Sequence, residues 1–184
     1  MSGRAGKGGG ASLPLFVVLL LAACNDPLPL SRFANAGPQL DPIRFFTGHV
    51  HSWGVLEDRR GQPTSIVTTD CNGEAEGADA LHMVQHLRVD DDPETTRDWH
   101  VHRTAPGRYE ATANDVVGTA VGEAAGPAFH WRWTLALSPG NALKNVDMDQ
   151  WWYLQADGSL INRTTVRKLG FIAAELTEHF VPQR

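Results

Sequence analysis

The stretch Phe129–Leu137 narrows the fold more than any other. Trp131, Trp133, Leu135 and Leu137 fall on one side of an extended chain, and His130, Arg132, Thr134 and Ala136 on the other. A two-residue period of this kind belongs to a strand with one buried face. Comparable stretches recur with turn signals every ten residues or so. Phe45–Leu56 is closed by Glu57-Asp58-Arg59-Arg60-Gly61. Thr64–Cys71 runs into a turn at Asn72-Gly73, and Leu81–Val89 into Asp90-Asp91-Asp92-Pro93. Arg97–Arg103 turns through Ala105-Pro106-Gly107 into Arg108–Ala113, and Val116–Gly122 leads through Gly126-Pro127 back to the tryptophan strand. The pattern predicts an all-β antiparallel meander, closed as a barrel or stacked as a sandwich.

Two further strands, Trp151–Ala156 and Ser159–Val166, flank Asp157-Gly158. Asp-Gly is a strong hairpin signal because both positions of a type I′ turn need positive φ. A two-residue loop there sets Leu154 against Ile161 and Trp152 against Arg163. Gly170–Val181 carries both periods, since Ile172, Leu176 and Phe180 fit a helix as well as a strand; with Ala174 on the same face, strand is the reading adopted.

The amino terminus has a separate logic. Arg4 and Lys7 lie in a leader without acids, and Leu13–Ala23 follows as an apolar run. Charged start, short apolar middle and small residues at the end are the parts of an export signal. The run falls short of the roughly 20 residues that cross a bilayer. Leu21-Ala22-Ala23-Cys24 resembles the lipobox of bacterial lipoproteins. That resemblance implies cleavage before Cys24 and lipidation of Cys24, the acyl chains holding the protein to a membrane. The expected organisation is therefore a signal peptide at 1–23, a lipidated cysteine and flexible tether at 24–42, and one β-domain at 43–184. Asn25 after the cysteine leans towards the outer membrane rather than the inner, on the periplasmic side of the cell envelope.

The whole chain carries 16 Lys and Arg against 21 Asp and Glu; without Arg4 and Lys7 the bases fall to 14, a net charge of −7. A surface of that sign without a basic patch argues against nucleic acid as partner. Of the two cysteines, the anchor uses Cys24, so Cys71 has no disulfide partner and reads as a small buried residue.

Several phrases together resemble one family. They are Phe46-Thr47-Gly48, Trp53-Gly54, Tyr109-Glu110-Ala111-Thr112-Ala113-Asn114-Asp115-Val116-Val117-Gly118, Gly122-Glu123-Ala124-Ala125-Gly126, the Trp131/Trp133 strand, Leu160-Ile161-Asn162-Arg163 and Lys168-Leu169-Gly170-Phe171. In this order, over about residues 44–181, they resemble the DUF3833 lipoproteins. The resemblance implies a lipocalin-like β-barrel and assigns no catalytic residue. Two positions depart from the family's pattern. Gln150 stands where a second acid is usual beside Asp149, and Trp152 where Met is usual.

Candidate sites follow from residue type. The six tryptophans either fill a barrel or line a pocket for an apolar molecule. Trp131, Trp133, Trp151 and Tyr153, with Arg163 for an acidic head group, are the candidate ligand-binding residues. His49-x-His51 and His100-x-His102 each place two imidazoles on one strand face, a spacing zinc can use with a third ligand from elsewhere. No cysteine or paired carboxylate accompanies them in sequence, and neither a metal nor any other cofactor is expected. Asp115 reads as a turn residue. No Gly-x-Ser-x-Gly, Cys–His pair or phosphate loop marks a catalytic residue. The expected role is an envelope lipoprotein binding or shielding a lipid or fatty-acid-like molecule. The alternatives are an accessory protein docking a partner enzyme, and a lipid-modifying enzyme.

Overall fold

The computed structural model describes residues 29–137 and 143–183. The signal and Cys24 lie outside the described residues. Ten antiparallel strands follow one another round a closed barrel. They are β1 (Gly48–Asp58), β2 (Pro63–Ala75), β3 (Ala80–Val89), β4 (Thr95–Ala105), β5 (Arg108–Thr112), β6 (Ala120–Ala125), β7 (Ala128–Ala136), β8 (Asn145–Leu154), β9 (Leu160–Lys168) and β10 (Phe171–Gln183). The seam is made by the first and last strands, from His49 opposite Gln183 to Asp58 opposite Ala174.

Alternation sets the faces. On β7, Phe129, Trp131 and Trp133 are buried while Arg132 is exposed, as the sequence period predicts. Rings from several strands meet inside: Trp99 lies 5.3 Å from Trp133, and Phe129 5.2 Å from Trp131. Gly122 of β6 makes this packing possible, because a β-carbon there would occupy the space of the Phe129 and Trp131 rings.

One end of the barrel is covered by the chain that enters it. A short helix, α1 (Pro42–Phe46), buries Pro42, Ile43 and Phe46, and the Phe46 ring rests on Trp152 at 5.2 Å and Phe180 at 5.8 Å. Asp41 caps it: Oδ1 accepts the Ile43 amide at 3.1 Å, and Pro42 supplies the preset φ of a first helical position. The other oxygen of Asp41 accepts from Arg103 Nη2 at 2.7 Å, tying the cap to β4.

Four expectations about strands and their turns need correction. Phe45 and Phe46 belong to α1, so β1 begins only at Gly48. Asn72-Gly73 lies inside β2, where the missing β-carbon of Gly73 leaves room for the Phe46 carbonyl. The strand expected from Val116 starts at Ala120; Val116 makes a single bridge to Leu135. The last correction concerns the Asp157-Gly158 hairpin. Its loop runs from Gln155 to Ser159, closed by the Gln155 amide on the Ser159 carbonyl at 2.8 Å, with Asp157 Oδ1 accepting the Ser159 amide and hydroxyl. Trp152 therefore faces Asn162, and Trp151 faces Arg163. Gly170–Val181 is strand, within β10. The segment expected to run as a tether to residue 42 is seated on the barrel from Leu30 onward. A 3-10 turn at Leu30–Phe33 lies against β6 and β7, Leu40 is buried, and the Leu40 amide donates to the Gly126 carbonyl at 2.8 Å.

Candidate functional site

The inward faces of β2, β3, β4, β7, β8, β9 and β10 enclose a cavity of about 60 Å³ beneath α1. That is room for about four waters. Phe46, Trp99, Phe129, Trp131, Trp133 and Trp152 supply its aromatic wall.

A chain of polar side chains crosses the rest. Trp133 Nε1 donates to Gln150 Oε1 at 2.6 Å, and Gln150 Nε2 donates to Thr164 Oγ1 at 3.0 Å. Asn162 Nδ2 donates to Thr164 Oγ1 at 3.1 Å and to Glu178 Oε2 at 2.8 Å. The second Glu178 oxygen accepts from Ser52 at 3.1 Å and Thr69 at 3.2 Å. Burial pushes the Glu178 carboxyl above its ordinary range, against the pull of these hydrogen bonds and of the Arg97 charge. Gly54 creates its place: a β-carbon there would come within 2.6 Å of Glu178 Cγ.

Arg97 stands at the other side of the cavity. Its guanidinium donates through Nε and Nη2 to Asp115, at 2.7 and 2.8 Å, and lies 4.7 Å from the Trp133 ring centre. Gln85 Oε1 accepts from Arg97 Nη1 at 3.3 Å and from Trp99 Nε1 at 3.0 Å. Asp115 occupies a turn, as expected, and also neutralises an interior cation.

Among the described residues, two buried side-chain nitrogens have no hydrogen-bond partner, Arg103 Nε and Trp152 Nε1. The second belongs to a cavity-lining ring. A buried donor left unmade costs about 1–3 kcal/mol, which an acceptor entering the cavity would recover.

Of the five candidate ligand residues, Trp131 and Trp133 line this cavity. The others lie elsewhere. Trp151 stacks on His130 at 4.2 Å outside the barrel, Tyr153 neighbours Phe33 at 6.0 Å, and Arg163 is paired with Glu175 at 2.9 Å. Residues that sequence reasoning missed are Trp152, Glu178, Gln150 and Arg97. Glu178 had a visible signal, because it shares the two-residue period of Leu176 and Phe180. Cys71 is buried on the cavity side of β2, and desolvation raises its thiol pKa strongly.

The histidines all lie on outward positions of their strands, most beside acids: His49 and His51 with Asp70, His82 with Asp98, His86 with Glu94, and His130 with Asp149.

The profile of a family described as a protein of unknown function, DUF3833, matches residues 18–181. The chain belongs to that family. Two solved structures share the architecture. Rv2717c from M. tuberculosis is similar over 79% of this chain and 99% of its own, at 18% identity and a TM-score of 0.57. The S-type phycobiliprotein lyase CPES from Guillardia theta is similar over 77% of this chain and 90% of its own, at 6% identity and a TM-score of 0.55. Identities this low establish the lipocalin-like fold alone. No curated protein matches the sequence.

In this DUF3833 domain three of the shared motifs fall on joints of the barrel. Trp53-Gly54 makes room for Glu178, Asn114-Asp115 clamps β4, and Gly122 admits the aromatic stack. The two departures from the family's pattern, Gln150 and Trp152, both face the cavity.

Proposed function

We propose that this protein is a lipid-anchored envelope lipoprotein whose barrel binds a lipid or fatty-acid-like molecule by its polar end. The observation carrying the ligand reading is the unpartnered Trp152 indole in a cavity walled by aromatic rings. A carbonyl or carboxyl oxygen would accept from Trp152, while the remaining amide hydrogens of Gln85 and Gln150 offer further donors and burial favours the proton-bearing form of Glu178. A volume of about 60 Å³ takes a small polar head with the start of an alkyl chain. A longer chain leaves past α1, whose five residues form a small closure. The anchor is Cys24, by its lipobox-like context, and Asn25 favours the outer membrane.

Titration of the delipidated, refolded protein with fatty acids of increasing length tests the ligand. Saturable quenching of tryptophan fluorescence, lost in Trp152→Phe, supports it; no quenching and no apolar molecule retained on purification overturns it. Incorporation of labelled palmitate, abolished by Cys24→Ala, tests the anchor separately.

A second reading has its own observation. Trp53, Val55, Ile66 and Ile161 form an exposed apolar groove on the outer wall. A barrel that refuses every apolar ligand but carries such a face fits an accessory protein docking a partner enzyme.

A further inference from the structure

The outer wall of β3 and β4 carries an arrangement that binding in the barrel does not use. His82 and His100 are direct cross-strand partners. Their rings lie parallel, 7° apart, with centres at 4.8 Å. Asp98 is two residues before His100 and on the same face, and its Oδ1 lies 2.6 Å from His82 Nε2. One ligand atom from each of the three falls within 4.8 Å of the others. Three donors round a tetrahedral ion with metal–ligand distances of about 2.0–2.1 Å stand roughly 3.3 Å apart, so small side-chain rotations close the gap.

From this geometry we infer that His82, Asp98 and His100 form a solvent-open site for a first-row divalent transition metal, with zinc the natural occupant. Two imidazoles and one carboxylate suit zinc, copper, nickel or iron, and disfavour calcium and magnesium, which want oxygen. A His–Asp ion pair alone would not need the second imidazole stacked against the first. The backbone beneath the site is held in place. Asn114 Oδ1 accepts the Asp98 amide at 2.8 Å, and Asn114 Nδ2 donates to the Thr96 carbonyl at 3.1 Å. Glu74 of β2 sits opposite His82 in the register, a carboxylate available to a rotated ligand shell. Asp98 and His100 are exposed, so the remaining coordination positions face water. Of the His100-x-His102 pair only His100 joins the site; strand pairing brings His82 from β3, and Asp98 precedes His100 on the same face of β4.

The test titrates the full chain in detergent, purified without a histidine tag and stripped with chelator, with Zn²⁺ against a chromophoric competitor. One equivalent should bind, and His82→Ala, His100→Ala and Asp98→Asn should each weaken binding on the order of tenfold or more. His51→Ala and His130→Ala, which alter other histidine–acid pairs on the same surface, should leave it unchanged. With Cu²⁺ in place of zinc, electron spin resonance should show coupling to two imidazole nitrogens in the parent and one in His100→Ala. Absence of binding at micromolar zinc overturns the site. So does binding that survives both His82→Ala and His100→Ala, or that follows His51. All five positions are on the outer surface, and unchanged far-ultraviolet spectra establish that each variant is folded.

Discussion

Glu178 accepts a hydrogen bond from Asn162 at 2.8 Å in the interior of the barrel, with no cation among the described residues in direct contact. The pair joins β9 to β10, and the hydroxyls of Ser52 and Thr69 extend it to β1 and β2. A carboxyl in that position has a stability that depends on its proton.

The sign follows from the upward shift. The folded protein holds this proton more tightly than the unfolded chain, so the contribution is complete below the ordinary carboxylate value and is lost as pH rises through the folded one. Glu178→Gln keeps the shape and removes the titration. The melting temperature of Glu178→Gln minus that of the parent should therefore grow from pH 5 to pH 8. A gain of about 2–4 °C corresponds to 1 kcal/mol in a chain of this size. A difference independent of pH would show that burial does not govern this group.

Gly54→Ala should destabilise. The added methyl meets Glu178 Cγ and the Thr177 carbonyl, both at 2.6 Å, and the second is backbone that cannot swing away. Forced overpacking costs roughly 1–3 kcal/mol, measured by urea unfolding. Gly54→Ala combined with Glu178→Ala should recover only the side-chain part of the loss.

Arg97 and Asp115 form a two-pronged pair that is largely withdrawn from water, with side chains 15% and 28% exposed. Asp115→Ala leaves the guanidinium among Trp99, Trp133 and Gln85 without its counter-charge. Breaking one side of such a pair costs about 3–5 kcal/mol when fully buried, and partial exposure reduces that here to about 2–3. Arg97→Met together with Asp115→Ala should cost less than the two single changes added, in a double-mutant cycle on chemical unfolding.

Trp152→Phe removes an indole nitrogen that holds no partner. The ring loss leaves a modest void, offset by the donor no longer buried unmade, so the net stability change should stay within about 1–2 kcal/mol. Trp133→Phe strips the Gln150 acceptor of its 2.6 Å partner and should cost more. Equal losses in thermal melts would deny the contrast.

Cys71 should resist aromatic disulfide reagents at pH 8 in the native protein and react fully in denaturant, since it is buried and its thiolate is disfavoured. Rapid native modification would mean that the cavity opens to solutes of that size.

How far the sequence reaches is visible in particular residues. The β7 alternation survives intact because sterics between neighbours decide it. The last hairpin does not, because Asp157-Gly158 is compatible with more than one loop length. The five-residue loop shifts pairing by one position, which carries Trp152 into register with Asn162 and leaves Arg163 on the outer wall beside Glu175. The α1 cap had local signals in Asp41 and Pro42, outweighed by the apolar pair Phe45-Phe46. The site itself was the least legible part. Glu178, Ser52, Thr69 and Asn162 are separated by up to 126 residues, and only closure of the sheet makes them neighbours.

That closure has a bearing on how the chain folds. The seam joins Gly48–Asp58 to Phe171–Gln183, so β1, which pairs with β2 on one side, gains its second neighbour only when the tenth strand folds onto it. Contacts so distant along the chain form slowly. Until the tenth strand docks, the open sheet has two bare edges, each able to pair with a foreign strand, so closing the seam is also what protects the domain from edge-to-edge association.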